Sequence, residues 1–147
     1  MGIKGTKSSS AVLSPIVKKI AVLFATLFTM NVTMANPVVD NVASGNVQIN
    51  QTATETHIHQ SSDQAIVNWK SFNIGEGEKT QFHQPNSNSI TLNRIDPSQG
   101  VSQIFGQLSA NGRIILVNQA GIYFGPTARV DVGSIIACLL YTSPSPR

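Results

Sequence analysis

The stretch GRIILVNQAGIYFGPTARVDVGSII, residues 112–136, constrains the fold more than any other part of the chain. It contains three short apolar strands in one register, with a repeat of eight residues. The pairs are Ile114 with Leu116, Ile122 with Phe124, and Val130 with Val132. Both members of a pair lie on one face, because successive side chains in a strand point to opposite sides. Turn-forming residues separate the pairs, so this pattern is typical of a coil that winds around a core.

The same spacing extends towards the N-terminus. Apolar residues occupy five successive positions eight residues apart, namely Ile58, Ile66, Ile74, Phe82 and Ile90. Two residues further on, Leu92, Leu108 and Leu116 follow the same step, although the first series lapses at Ser98 and Gly106. We expect these side chains to face inward, in coils of three strands and roughly 24 residues. The sequence therefore predicts an all-β fold, a single-stranded parallel β-helix.

One segment fits two structures. Val101, Ile104, Phe105 and Leu108 have the spacing of a helical stripe. Every second residue from Ile104 to Leu116 is also apolar or small, which predicts a strand. The strand pattern is longer and continues the register, and two glycines disfavour a helix. We therefore favour a strand.

The charge of the chain is concentrated at its ends. The full sequence has a formal net charge of +3, but residues 36–137 carry five basic and seven acidic side chains, a balance of −2. A basic surface for nucleic acid is therefore not expected. Few charges with many Asn, Gln, Ser, Thr, Val and Ile residues favour short strands joined by polar turns.

The first 35 residues have the pattern of a secretory signal peptide. Lys18 and Lys19 close a basic region, an apolar run extends from residue 20 to 30, and Thr33-Met34-Ala35 provides a small-residue cleavage site. The run is shorter than the roughly 20 apolar residues that a membrane-spanning helix needs. We expect export through the Sec machinery, and the mature domain to begin at Asn36.

The last ten residues, CLLYTSPSPR, do not continue the strand pattern. They resemble the translation of a transposase-type sequencing adapter. We therefore expect the natural sequence to end near Ala137, and residues 138–147 to be disordered and artificial. The domain spanning residues 36–137 is then truncated, and no redox role is assigned to Cys138.

Two motifs resemble a known family. Residues 68–75, NWKSFNIG, are similar to the NWxSFNIG stretch of the two-partner secretion domain of filamentous-haemagglutinin-type exoproteins. Residues 106–112, GQLSANG, with 117–125, VNQAGIYFG, resemble its GQLxANG and VNPNGIxFG block, and residues 130–137 resemble its continuation. In the NPNGI element Asn118, Gly121 and Ile122 match, whereas Gln119 replaces Pro and Ala120 replaces Asn. The loss of Pro removes a preset φ angle.

The resemblance implies a right-handed parallel β-helix preceded by a signal peptide, and a function as a secretion signal. The implied partner is an outer-membrane transporter whose POTRA domains bind the exoprotein in the periplasm of a Gram-negative bacterium. The exoprotein then folds at the cell surface, where regions beyond this domain could bind host glycans or proteins. The implied secretion-motif residues are Asn68, Trp69, Phe72, Asn73, Gly75, Asn118, Gln119, Ala120, Gly121 and Ile122.

Other functions find weaker support in the residues. A polysaccharide lyase or hydrolase on a β-helix needs paired carboxylates, for which Glu76 with Glu78, or Asp96 with Asp131, are the candidates. His57 and His59 share one face of a strand and could hold a metal, but the sequence identifies no third ligand beside them. Trp69 is a candidate sugar platform, although its apolar neighbours favour a core position. We therefore expect no enzyme activity, metal or cofactor.

Overall fold

The computed structural model describes residues 35–139. The predicted signal peptide, apart from Ala35, and the tail from residue 140 lie outside these residues. In the described part, no helix is long and apolar enough to cross a membrane.

Strands dominate the described chain, and the one helical element is a 3₁₀ turn at Pro97–Gln99. The strands are β1 Val38–Ser44, β2 Val47–Gln51, β3 Glu55–Gln60, β4 Gln64–Ser71, β5 Lys79–His83, β6 Ile90–Ile95, β7 Ser102–Ile104, β8 Gln107–Asn118, β9 Ile122–Phe124 and β10 Arg129–Cys138.

The strands from β3 onwards wind into a β-helix of about four turns with three faces. Face A consists of β3, β5 and the first parts of β8 and β10, which pair in parallel. Face B consists of β4, β6 and the second parts of β8 and β10, also parallel. Face C is the short pair β7 and β9, which Ile74 extends by one bridge to Ile104. The predicted parallel β-helix is confirmed.

The coil length varies. Glu55 pairs with Lys79, Lys79 with Gln107, and Gln107 with Arg129, so the chain returns to the same place after 24, 28 and 22 residues. The mean is close to the predicted step of 24. The longest coil contains the loop at residues 84–89 and the 3₁₀ turn.

Two antiparallel strands cover the N-terminal end of the coils. β1 pairs with β4 and β2 pairs with β3, both antiparallel. The chain turns a corner between β1 and β2 at Gly45 and reverses direction between β2 and β3. Gly45 has a φ of +84°, and a Cβ there would lie 2.5 Å from the carbonyl oxygen of Gln64. The sequence indicated a strand at Val47 and Ile49 but not this antiparallel cap.

The core confirms the register of the segment that constrains the fold. Ile114 and Leu116 are fully buried, and Ile122 and Val132 pack against the same core. Phe124 and Val130 pair with the inward Ile104 and Leu108, but they are 38% and 42% exposed. The strand prediction for residues 104–116 holds for β8 from Gln107 onwards, and Ile104, Gly106 and Leu108 are buried in alternation. Residues 105 and 106 interrupt the strand, because β7 ends at Ile104. The helical alternative is wrong, since Val101 is 44% exposed.

The inward register predicted for face B is wrong in β4 and β6. Ile66, Ile90 and Leu92 lie on the outer side and are half-buried. The inner positions of β6 are Thr91, Asn93 and Ile95, and the two polar side chains are buried and hydrogen-bonded. The outer aliphatic side chains cover one another in a row across the strands, because Ile66 pairs with Leu92, Leu92 with Ile115, and Ile115 with Ile136.

The last strand bends from face A to face B through a register shift between Val132 and Ser134. Gly133 lies at this bend, where a Cβ would meet the carbonyl oxygen of Gly112 at 2.8 Å. The strand includes Cys138, which pairs with Val117. Regular structure therefore extends one residue past the predicted boundary at Ala137.

Candidate functional site

The first motif, residues 68–75, forms the end of β4 and the turn towards face C. Trp69 and Phe72 are each 1% exposed, and their rings meet edge to face with centroids 5.2 Å apart. Trp69 donates its indole N–H to Asn93 Oδ1 at 2.9 Å, and Asn93 Nδ2 donates to the carbonyl oxygen of Ile115 at 3.3 Å. Trp69 therefore connects successive coils from within the core. Its ring is too buried to serve as a sugar platform.

The polar members of this motif hold the turn in place. Asn68 lies on the outer side, where it donates to Asn41 Oδ1 and accepts from Arg94 Nε, both at 2.9 Å. Asn73 Oδ1 accepts the backbone N–H of Gln103, in the next coil, at 2.8 Å. The N–H of Gly75 donates to Glu78 Oε2 at 2.7 Å.

The VNQAGIYFG part of the second motif contains a buried asparagine, Asn118, at the end of β8. Asn118 has no exposed surface, and its Nδ2 donates to Ser102 Oγ at 2.9 Å and to the carbonyl oxygen of Gly100 at 3.1 Å. Its Oδ1 accepts the N–H of Ala120 at 2.9 Å, and its carbonyl oxygen accepts the N–H of Gly121 at 3.1 Å. One side chain thus fixes both the turn after β8 and its attachment to the preceding coil.

The replacement of Pro and Asn in this element is compatible with a β-turn. A type II turn would need a positive φ at Ala120, and within residues 35–139 only glycines have one. The left-handed position falls instead on Gly121, with a φ of +116°, as type I turns with Gly in the fourth position allow. Gln119 occupies the second position, where Pro is favoured but not required.

This turn also presents an exposed surface. Gln119 and Ala120 are exposed, whereas Ile122 is half-buried and packs against the core. Val101 and Tyr123 are 44% and 51% exposed on the neighbouring segments. The Val101 side chain lies 3.6 Å from the place where a Cβ on Gly121 would be.

The structure brings the first motif and the VNQAGIYFG part of the second motif to one corner. We call the turns between face B and face C, residues 71–74, 96–101 and 118–121, the B–C corner. Asn73 bonds to Gln103 and Asn118 bonds to Ser102, so adjacent residues of β7 connect the first motif with the second. Motif residues that are more than forty positions apart in the sequence therefore belong to one hydrogen-bonded unit.

The candidate carboxylate pairs are not arranged as an acid and a base. Glu78 accepts hydrogen bonds from the N–H groups of Gly75 and Ala35, so its carboxylate stabilises a turn. Asp96 caps the 3₁₀ turn by accepting the N–H of Ser98, and this hydrogen bond lowers the pKa of Asp96. Asp131 lies on face A, on a different side of the coil.

The candidate histidine pair has a third member that the sequence did not reveal. His83 pairs with His59 across β3 and β5, and their rings stack with centroids 4.4 Å apart. Burial, followed by the charges of His59, His57 and Lys79, lowers the pKa of His83 below its ordinary value. In the described residues, no group of three or more His, Cys, Asp or Glu side chains is placed as a set of metal ligands.

Sequence reasoning also missed two polar residues that hold the coils together, the buried Asn93 and the exposed Asn111. Asn93 connects Trp69 with the coil beyond it, and Asn111 makes two 2.7 Å hydrogen bonds to the backbone of Gln84. Asn111 lies within the GQLSANG motif, so the resemblance to the family could have identified it as a candidate. No motif marks Asn93. Its strand also reverses the usual pattern of apolar residues inside and polar residues outside, because Leu92 lies on the outer side and Asn93 on the inner side.

Comparisons with known proteins agree on one family. The TPS secretion domain family matches residues 35–138. Two proteins from Haemophilus influenzae, each named heme/hemopexin-binding protein, are 38% identical over 94 residues and 31% identical over 97 residues. These alignments cover 63% and 66% of this chain, but 10% and 11% of the relatives, so the chain spans about a tenth of their length.

A solved structure supports the same assignment. The crystal structure of the HMW1 secretion domain from Haemophilus influenzae matches with a TM-score of 0.67 and 36% identity, over 74% of this chain and 28% of that one. The fold, both motifs and the family match thus concern the same residues. The chain belongs to the TPS, or two-partner secretion, domain family, and it is the secretion-signal domain of an exoprotein of that family.

Proposed function

We propose that the B–C corner is the surface that the POTRA domains of an outer-membrane two-partner transporter bind. Membership of the family implies a transporter of this class and export from a Gram-negative cell. The supporting observation is the Asn118 turn. It is fixed by hydrogen bonds from one buried side chain, and it presents Gln119 and Ala120 to solvent beside the exposed Val101 and Tyr123.

The burial of Trp69, Phe72 and Asn118 divides the motif residues into two groups. The buried residues shape the corner, whereas Gln119, Ala120 and the outer Asn68 are available for direct contact. A pre-formed turn binds with a smaller entropic cost than a flexible loop. Extended, weakly charged strands such as β9 next to this turn also suit binding by strand addition.

Asn118→Ala tests this proposal. The substitution removes both hydrogen bonds to the preceding coil and leaves Ser102 Oγ without its donor, at a cost of about 1–3 kcal/mol in unfolding free energy. We expect export of the full chain to fall at least fivefold and the affinity of the purified chain for isolated POTRA domains to fall similarly.

Gln119→Pro is the comparison at the same turn, because Pro is favoured at the second position of a type I turn and is the residue of the NPNGI element at this contact position. We expect it to raise the unfolding free energy by about 0.4–1 kcal/mol and to leave export intact. Normal export and POTRA binding of the Asn118→Ala variant would contradict the proposed role of the corner.

We further propose that Sec exports the precursor through residues 1–35, and that the β-helix grows coil by coil at the cell surface. A repeat fold can nucleate at one end and propagate, since each coil contacts only its neighbours. The antiparallel cap of β1 and β2 covers the N-terminal end and gives such growth a defined start.

We also propose that any binding to host surface glycans or proteins lies outside residues 35–139. The relatives named for heme and hemopexin binding are about ten times longer than the segment they share with this chain. The relatives are not named as enzymes, and Glu78 has a structural role. Binding by the longer exoprotein, but not by the purified segment, would support this division.

A further inference from the structure

All three histidines of the chain lie in one cluster on the outer side of face A. His57 and His59 are on β3 and His83 is on β5, and the ring centroids are 4.4–6.3 Å apart. Imidazole-dependent chemistry of the residues in this chain therefore has a single location. None of the three histidines belongs to the B–C corner.

Two ring nitrogens in this cluster face each other. His57 Nδ1 and His83 Nε2 are 3.1 Å apart, and the other nitrogen of His57 lies 3.1 Å from Glu55 Oε2. A carboxylate oxygen accepts, so we assign the ring proton of His57 to Nε2, which faces Glu55. The lone pair of His57 Nδ1 then points at His83, whose Nε2–H donates to it.

The spacing of these two nitrogens suits a shared metal ion. With metal–nitrogen bonds of about 2.05 Å, a separation of 3.1 Å corresponds to an angle of about 98° at the metal, between square-planar and tetrahedral geometry. The arrangement of Glu55 is also that of a metal site, because ligating histidines usually donate their second N–H to a carboxylate. The His57 side chain is 28% exposed, so water can complete the coordination.

We propose that His57 Nδ1 and His83 Nε2 chelate a divalent ion that prefers imidazole, namely Zn²⁺, Cu²⁺ or Ni²⁺, with Glu55 orienting His57. Binding requires the proton on His83 Nε2 to move through solvent to Nδ1, so the ring stays neutral and no net proton is released. His59 stacks on His83 at an interplanar angle of 7° and supports that ring without ligating the metal. The result is a two-histidine chelate with waters, not a closed structural site.

The test is titration of the purified full chain with Zn²⁺, Ni²⁺ or Cu²⁺, followed by calorimetry and by the imidazole NMR signals. A Cys138→Ser background removes the thiol, a competing soft ligand. We expect micromolar binding of one ion, with the His57 and His83 signals changing first. His83→Phe and His57→Phe should each weaken binding at least tenfold, and Glu55→Gln should weaken it about tenfold.

His59→Phe is the matched control, because it keeps an aromatic ring against His83 and should leave the affinity within threefold of the parent. Circular dichroism establishes that each variant is folded. The proposal is overturned if the parent binds none of the three ions at 100 µM protein, or if a folded His83→Phe variant binds as tightly as the parent. Equal weakening by His59→Phe would also overturn the two-ligand geometry.

Discussion

At the scale of single residues, buried polar side chains determine how the coils fit together. Asn93, Asn118 and Gln84 each bond to a neighbouring coil, and all three are less than a tenth exposed. Buried polar groups are costly unless they are paired, so such residues fix a single register between coils. A core of aliphatic side chains alone would tolerate slippage by whole residues more easily.

Thr80 is the contrasting case, and it gives a prediction. Its side chain is fully buried between Thr56 and Leu108, and its hydroxyl has no hydrogen-bond partner among the described residues. We expect Thr80→Val to raise the unfolding free energy by about 1 kcal/mol, because the two side chains have the same shape and the unpaired hydroxyl is removed. Urea unfolding of the purified chain measures this change.

Thr91→Val is the comparison, because the Thr91 hydroxyl accepts a hydrogen bond from Gln84 at 3.0 Å. It should lower the unfolding free energy by about 1–3 kcal/mol. If Thr80→Val lowered the unfolding free energy instead, the claim that the Thr80 hydroxyl is unpaired would be contradicted.

The residue scale also marks what the sequence could and could not reveal. Alternation alone places His57 and His59 on one face, and the motif alone identifies Asn118. His83 joins the histidines only through the pairing of β3 with β5, which cannot be derived from the spacing within one strand. The structural role of Asn93 is hidden for the same reason, because its partners Trp69 and Ile115 lie in other coils.

At the scale of the elements, close approach between turns sets the stacking of coils. Gly106 donates its N–H to the carbonyl oxygen of Ile74, and it lies directly above the turn that contains Gly75 and Glu78. The eight-residue repeat marks Gly106 as a lapse in the apolar series. The structure explains the lapse, since this inward position has room for a hydrogen atom only.

Gly106→Ala is predicted to disrupt this stacking. A Cβ would lie 2.3 Å from the carbonyl oxygens of Gly75 and Glu78, so the backbone of one coil must shift. We expect a loss of about 3 kcal/mol in unfolding free energy, at the upper end of the cost of overpacking. Chemical denaturation measures it.

Gly77→Ala separates this contact from backbone strain. Gly77 has a φ of +79° and open space around it, so its substitution should cost only about 1–2 kcal/mol. If Gly106→Ala were no worse than Gly77→Ala, the close approach of the two turns would be refuted.

The elements also show why the face B prediction failed. An eight-residue repeat assumes three equal sides in a coil, whereas the inward Ile58, Val67 and Ile74 of one coil are nine and seven residues apart. β4 and β6 carry aliphatic side chains on their outer sides as well, so hydrophobicity alone does not reveal which side faces the core. The register was correct in β8, where the inner side is apolar and the outer side includes Arg113.

At the scale of the whole described molecule, the solenoid is closed at one end and apolar at the other. β1 and β2 cover the first coil, whereas the last coil exposes Tyr123, Phe124, Val130 and Ile136. The parallel β-helix and the secretion family could be predicted from the sequence, because both depend on local motifs and alternation. The cap and the convergence of NWKSFNIG and VNQAGIYFG on the B–C corner could not, since they depend on pairings between distant segments.

The central claim is that this domain is a secretion signal for a two-partner transporter. The most direct measurement is the amount of full-length chain in the culture medium of a Gram-negative host that does or does not express the cognate transporter, with a periplasmic enzyme as leakage control. We predict extracellular chain only with the transporter, and periplasmic chain without it. Equal extracellular amounts in both strains, without leakage, would contradict the account.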